Sequence, residues 1–133
     1  MKVEKVRMFN YKDKGELTVF LDEDKEKWYC DDDIGNILNM TEEEQNELFK
    51  DVEESSIKRV ESVHRVIRIK TAPFVIPKVE LYIKEFDLLK VLFTKIKDDE
   101  LTKWVLEISD KMNYEEKRIK ILNNNLGGNK DEK

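Results

Sequence analysis

Cys30 and His64 are the single cysteine and the single histidine of this 133-residue chain, so a thiol nucleophile with an imidazole base could be made only from that pair. His64 stands among Arg65 and Arg68, whose charges disfavour the imidazolium, and it reads as a solvated surface histidine. Carboxylates are plentiful, and Asp31-Asp32-Asp33 or Glu42-Glu43-Glu44 could in principle hold a divalent cation. Each triplet, however, opens a stretch with helical apolar spacing, where the helix dipole favours carboxylates without any metal. A calcium loop begun at Asp22 fails, because Lys27 falls where glycine is required and Asp33 where a bidentate glutamate is expected. Gly127-Gly128 precedes no helix, so no phosphate-cradling loop is present. The chain is expected to be no enzyme and to hold no metal or cofactor.

Lys58, Arg59, Arg65, Arg68 and Lys70 suit a different chemistry. They crowd a stretch of β-branched residues, and could lay a cationic β-ribbon against a nucleic-acid backbone or in a groove. The net charge of -5 conceals a strong asymmetry. Residues 13–54 hold sixteen Asp or Glu against four Lys, and residues 55–97 hold ten Lys or Arg against four acids. The basic half is therefore the candidate footprint for a polyanion. Glu42, Glu43, Glu44 and Glu47 offer the alternative, an acidic surface for a basic protein partner. Residues 32–52 have the length of a helix-turn-helix, but those glutamates would face phosphates from its second helix, which argues against that use.

The elements that must carry these residues follow from periodicity. Lys5–Tyr11 and Leu17–Leu21 read as a hairpin around Asp13-Lys14-Gly15. Trp28-Tyr29-Cys30 reads as a third strand with one of its two aromatics facing outward. A helix capped by Asp31 or Asp32 follows, with Ile34, Ile37 and Leu38 on one face. Thr41 and Glu44 form a capping box for a second helix running to about Val52. From Ile57 the pattern is that of a strand: Val63, Ile67 and Ile69 share one parity, His64, Arg68 and Lys70 the other, and Arg65 breaks the alternation as a bulge would. Pro73 and Pro77 mark a turn or edge segment, and Val79, Leu81 and Ile83 give the clearest strand. Leu88, Leu89, Leu92, Phe93 and Ile96 define a helix with an inward stripe. Asp98-Asp99-Glu100 start another bearing Leu101, Trp104, Val105 and Ile108, and residues 113–122 read as a last helix.

The pattern as a whole is α+β, a small mixed or antiparallel sheet packed against about four helices in a single domain over residues 1–122, with 123–133 as a flexible polar tail. No apolar stretch approaches the roughly 20 residues of a membrane helix. The charged amino terminus lacks the apolar run of a signal peptide. With one cysteine, these features predict a soluble, intracellular protein.

Two segments carry a resemblance. Trp28-Tyr29-Cys30-Asp31-Asp32-Asp33-Ile34 through Met40 and Leu81-Tyr82-Ile83-Lys84-Glu85-Phe86-Asp87-Leu88-Leu89-Lys90, with Trp104-Val105 beyond, resemble the anchors of the Bro amino-terminal domain of large DNA viruses and phage antirepressors. Asp33-Ile34 and Leu38 stand in that family's strand-to-helix motif. Ile83, Glu85, Leu88 and Leu89 stand in its second, while Asp87 takes a place commonly held by glycine and Leu101 one held by an aromatic. The resemblance spans roughly residues 16–110. It implies a viral or phage-type regulatory protein that binds nucleic acid, most simply DNA, in the host cytoplasm or nucleus, without catalysis. The cations named above would be its contacts. The alternative it implies is an antirepressor or inhibitor acting on a basic regulatory or host protein through Glu42, Glu43, Glu44 and Glu47. An exposed edge near Pro73 to Pro77 could support a homodimer.

Overall fold

The structure, a computed structural model, describes residues 3–69 and 72–126, with side chains over 5–60 and 79–115. The chain divides into two compact units, Met1–Ile96 and Lys97–Lys133.

The first unit is built on a hairpin of β1 (Val3–Asn10) and β2 (Glu16–Asp22), as predicted. Its turn holds Lys12 and Asp13 at φ 50° and 61°, a left-handed conformation that L-residues resist. The Asn10 side-chain oxygen accepts the Asp13 N–H at 3.0 Å, and the Gly15 carbonyl accepts the Tyr11 N–H at 2.9 Å. Gly15 has φ 154°, and a Cβ there would stand 3.2 Å from Ile37 Cγ1, so both conformation and close approach call for glycine. β3 (Lys27–Cys30) pairs with β2, and β5 (Ala72–Lys84) lies between β3 and β4 (Ile57–Ile69). All pairings are antiparallel, in the order β1-β2-β3-β5-β4.

Alternation then sorts the side chains. Leu17, Val19, Leu21, Tyr29 and Ile83 are buried on one face, and Phe20, Trp28, Cys30 and Tyr82 cluster on the other. Trp28 and Tyr29 are therefore both buried, at 4% and 0% exposure, and the expectation of one outward aromatic fails because the centre of the sheet is covered on both faces.

Four α-helices complete the fold among the described residues. α1 (Asp31–Ile37) is entered through Cys30, with no side-chain cap. Asp31, Asp32 and Asp33 fill its first turn instead of capping it, and the Asp33 carboxylate accepts the Thr18 N–H of β2 at 2.8 Å. α2 (Glu42–Phe49) has the predicted capping box: the Thr41 hydroxyl accepts the Glu44 N–H, and the Glu44 carboxylate accepts the Thr41 N–H. α3 (Glu85–Val91) relaxes into a wider π turn over Leu92–Ile96, where the Thr94 hydroxyl donates to the Lys90 carbonyl at 2.8 Å. Phe93, expected in the core, is 68% exposed. With 3.6 residues per turn it stands on the side of the segment away from the inward stripe of Leu88, Val91 and Leu92.

In the second unit, α4 runs unbroken over Asp99–Leu126, and the Asp98 carboxylate accepts the Leu101 N–H at its start. Leu101, Val105, Ile108 and Met112 form its buried stripe, while Trp104 is half-buried. The separate helix expected over 113–122 is part of this one, because no Gly or Pro interrupts residues 109–122. Helix continues to residue 126, into the expected tail; residues 127–133 lie outside those described.

Candidate nucleic-acid interface

β4 and β5 have 13 residues each, but β3 meets β5 only at Tyr82, Ile83 and Lys84. Beyond that root the pair is a two-stranded ribbon, in register from Ile57 opposite Ile83 to Ser62 opposite Lys78, and again from Arg65 opposite Ile76 to Ile69 opposite Ala72. Between these stretches Val63 and His64 stand against the single residue Pro77. Two residues against one is a β-bulge, and proline, having no N–H, is the residue that loses least there. The irregularity expected near Arg65 is thus present. Of the turn or edge segment expected at Pro73 to Pro77 the structure has the edge, since β5 runs through both prolines. That segment lies beyond the reach of β3, so its side away from β4 is an edge, where a missing donor is tolerated.

Of the five predicted cations, Lys58 and Arg59 have described side chains, and these two do not share a face. Lys58 and Arg59 are successive residues of β4 and so belong to opposite faces. Lys58 Nζ lies 5.2 Å from the centroid of the Trp28 ring. The Arg59 guanidinium, on the other face, donates to the Glu54 carboxylate. Arg65 and Arg68 occupy β4 opposite Ile76 and Pro73, at positions of opposite parity beyond the bulge. Their side chains and that of His64 lie outside the described set, as does Lys70 altogether. No protein-family model, curated protein or solved structure matches this chain.

At the root of the ribbon stands a cluster that sequence spacing did not reveal. The Trp28 indole N–H donates to Asp22 at 2.9 Å, and the other oxygen of that carboxylate accepts the Asp24 and Glu26 N–H groups at 2.9 and 3.0 Å. Burial alone would raise the Asp22 carboxyl. The Trp28 N–H, those two backbone donors and the nearby Lys58 ammonium together hold it below the ordinary carboxylate value. Phe20 stacks on Trp28 with centroids 6.3 Å apart and tilts against Tyr82 at 4.8 Å. Lys58 therefore closes a buried polar and aromatic corner, a role worth about 1 kcal/mol for a cation over an indole face.

The acidic alternative has a simpler geometry. Glu42, Glu43, Glu44 and Glu47 are all exposed on α2. Glu44 is engaged in the capping box and Glu47 pairs with Lys50. Behind this helix, Gln45 donates to Asp32 at 2.7 Å; a Cβ on Gly35 would lie only 2.2 Å from the Gln45 carboxamide oxygen, so the bare backbone at Gly35 is what admits this link between α1 and α2. Next to it, Asp31 is buried with one carboxylate oxygen unpartnered. Burial, with repulsion from Asp32, pushes its carboxyl up to about 6.

Cys30 is fully buried, and burial, with the Asp33, Glu80 and Asp31 charges, raises its thiol, the reverse of what a nucleophile needs. Among the described residues no three His, Cys, Asp or Glu converge as a metal site, and no helix is long and apolar enough to cross a membrane.

Proposed function

We infer that this protein is a regulatory nucleic-acid binder of the Bro amino-terminal type, which holds DNA through the β4–β5 ribbon and acts inside the host cell without catalysis. The observation that carries this reading is the ribbon itself. Two long antiparallel strands, joined to the rest of the sheet at one end of β5, bear Lys58, Arg59, Arg65, Arg68, Lys78 and Lys84 against only Glu61 and Glu80. A two-stranded ribbon fits the major groove or lies along the backbone, and its lysines and arginines release counterions from phosphates. Lys58 and Arg59 are engaged at the root, so the gain in affinity is assigned to Arg65 and Arg68. Titration of labelled duplex DNA at roughly 50 and 200 mM salt tests the mechanism, since phosphate-driven binding weakens steeply over that range. Affinity that does not respond to salt would sink it.

A second reading rests on the row of exposed glutamates on α2: an antirepressor or inhibitor that binds a basic protein. Glu42→Gln, Glu43→Gln and Glu47→Gln together leave the Thr41–Glu44 cap intact. That triple variant should release a basic partner that the parent retains; undiminished capture would end this reading.

A further inference from the structure

Phe86 and Phe93 are the two most exposed large apolar side chains among the described residues, at 71% and 68%. They lie seven positions apart on α3 and its π turn, on one side of the helix, about 10 Å apart along the axis. Lys90 is exposed between them. Of the three lysines over 84–96, Lys84 lies 3.9 Å from Glu26, and Lys95 donates to Asp51 and to the Leu48 carbonyl. Lys90 makes no ion pair among the described residues, although it borders a cleft with Asp51 and Asp87. Leu88, Val91 and Leu92 supply the buried side of the same segment, so the fold does not require the two phenylalanines outside.

The occupant can be narrowed by size and charge. Two phenylalanine rings offer about 400 Å² per copy, so a symmetric pair of copies would bury about 800 Å² through them, short of the roughly 1,000 Å² of a stable interface. An apolar protein surface seated there would also bury the Lys90 ammonium without an anion. Unpaired nucleotides answer both features, because bases stack on aromatic faces regardless of sequence and carry their own phosphates to a lysine between the rings. The span is that of about three base steps. We propose that Phe86, Lys90 and Phe93 form a stacking platform for single-stranded nucleic acid, separate from the ribbon and independent of the duplex reading.

The test uses the full chain with labelled oligothymidine and, in parallel, a duplex of equal length at roughly 50 mM salt. Phe86→Leu with Phe93→Leu keeps apolar bulk and removes the π faces. It should weaken oligothymidine binding about tenfold or more, leaving duplex affinity and thermal stability unchanged. Phe86→Trp with Phe93→Trp should restore binding, and Lys90→Gln should lower both the affinity and its salt dependence. Oligothymidine binding unchanged in the leucine variant, or absent in the parent protein, overturns the proposal. So does a concentration-dependent dimer that the leucine variant abolishes. Arg65→Glu with Arg68→Glu separates the two sites: unchanged duplex binding in that variant counts against the ribbon and leaves the platform to be judged on oligothymidine alone.

Discussion

Asp22, at the end of β2, and Asp31, at the start of α1, both expose only 6% of their surface, yet Asp31 lies deeper in the protein and their chemistry is opposite. Asp22 accepts an indole N–H and two backbone N–H groups and has Lys58 nearby. Asp31 has an oxygen with no donor, and a second carboxylate, Asp32, beside it. The first stays ionised below the ordinary carboxylate range, and the second is pushed up to about 6. Burial penalises a charge, and the donors that surround it decide whether the charge survives. The acidic half of the chain is thus a set of individually placed carboxylates: Asp22 and Asp33 accept main-chain donors, Asp32 accepts from Gln45, and Glu44 caps α2. Part of its negative charge is therefore structural.

Removing Asp22 should have the largest effect. Asp22→Ala strands the Trp28 N–H and two backbone N–H groups, and a loss of about 3–4 kcal/mol is expected at neutral pH in chemical denaturation. A loss under about 1 kcal/mol would mean that water replaces the carboxylate without penalty. Asp31→Asn should act in the other direction. A carboxyl moved from 3.8 to about 6 on folding contributes stability that is full below the unfolded value and is lost as pH rises through about 6. At pH 8 the parent therefore carries a penalty of up to about 3 kcal/mol, which the amide removes. Melting temperatures at pH 5 and 8 should show the variant gaining at both, about half as much at pH 5 as at pH 8. Asp22 contributes with the opposite sign, present above the ordinary carboxylate value and lost as pH falls through its depressed folded value. An Asp31→Asn protein less stable than the parent at pH 8 would break the contrast.

The sequence made the architecture legible where local rules and tertiary context agree. The β1–β2 hairpin, the Thr41–Glu44 capping box, the strand at 79–83 and the start of α4 at Asp98 all follow from turn residues, caps and period. Errors arose where packing decides. Trp28 and Tyr29 alternate, which implies opposite faces, but nothing local says that both faces are covered. Phe93 stands four residues from Leu89, but Leu89 is itself only half-buried, at the margin of the stripe that Leu88, Val91 and Leu92 set, and Phe93 falls outside it. The segment 57–69 was legible as a strand, including its bulge. The engagement of its first two cations within the fold was not, because Lys58 is drawn to an indole delivered by a strand 30 residues earlier and Arg59 to Glu54. Phe86 and Phe93 as an exposed pair left no sequence signal, since aromatic residues at helical spacing ordinarily mark a core.

Smaller effects sharpen the contrast between satisfied and unsatisfied groups. Tyr29 is wholly buried, and its hydroxyl donates to Glu85 at 2.5 Å, with Lys27 Nζ 4.0 Å from the other carboxylate oxygen. Tyr29→Phe leaves a partly buried carboxylate with Lys27 as its remaining partner, and a loss of about 1–2 kcal/mol is expected. A neutral outcome would show that Lys27 moves in to replace the hydroxyl. Contact with phosphates requires Arg65 and Arg68 to be exposed, so the stability change in Arg65→Glu with Arg68→Glu should be smallest of all, within about 0.5 kcal/mol. The same variant should lose nearly all duplex affinity and reduce the dependence of the remainder on salt. If instead it unfolds, the two arginines belong with Asp22 as structural charges, and the ribbon is held in place by the acidic half of the molecule.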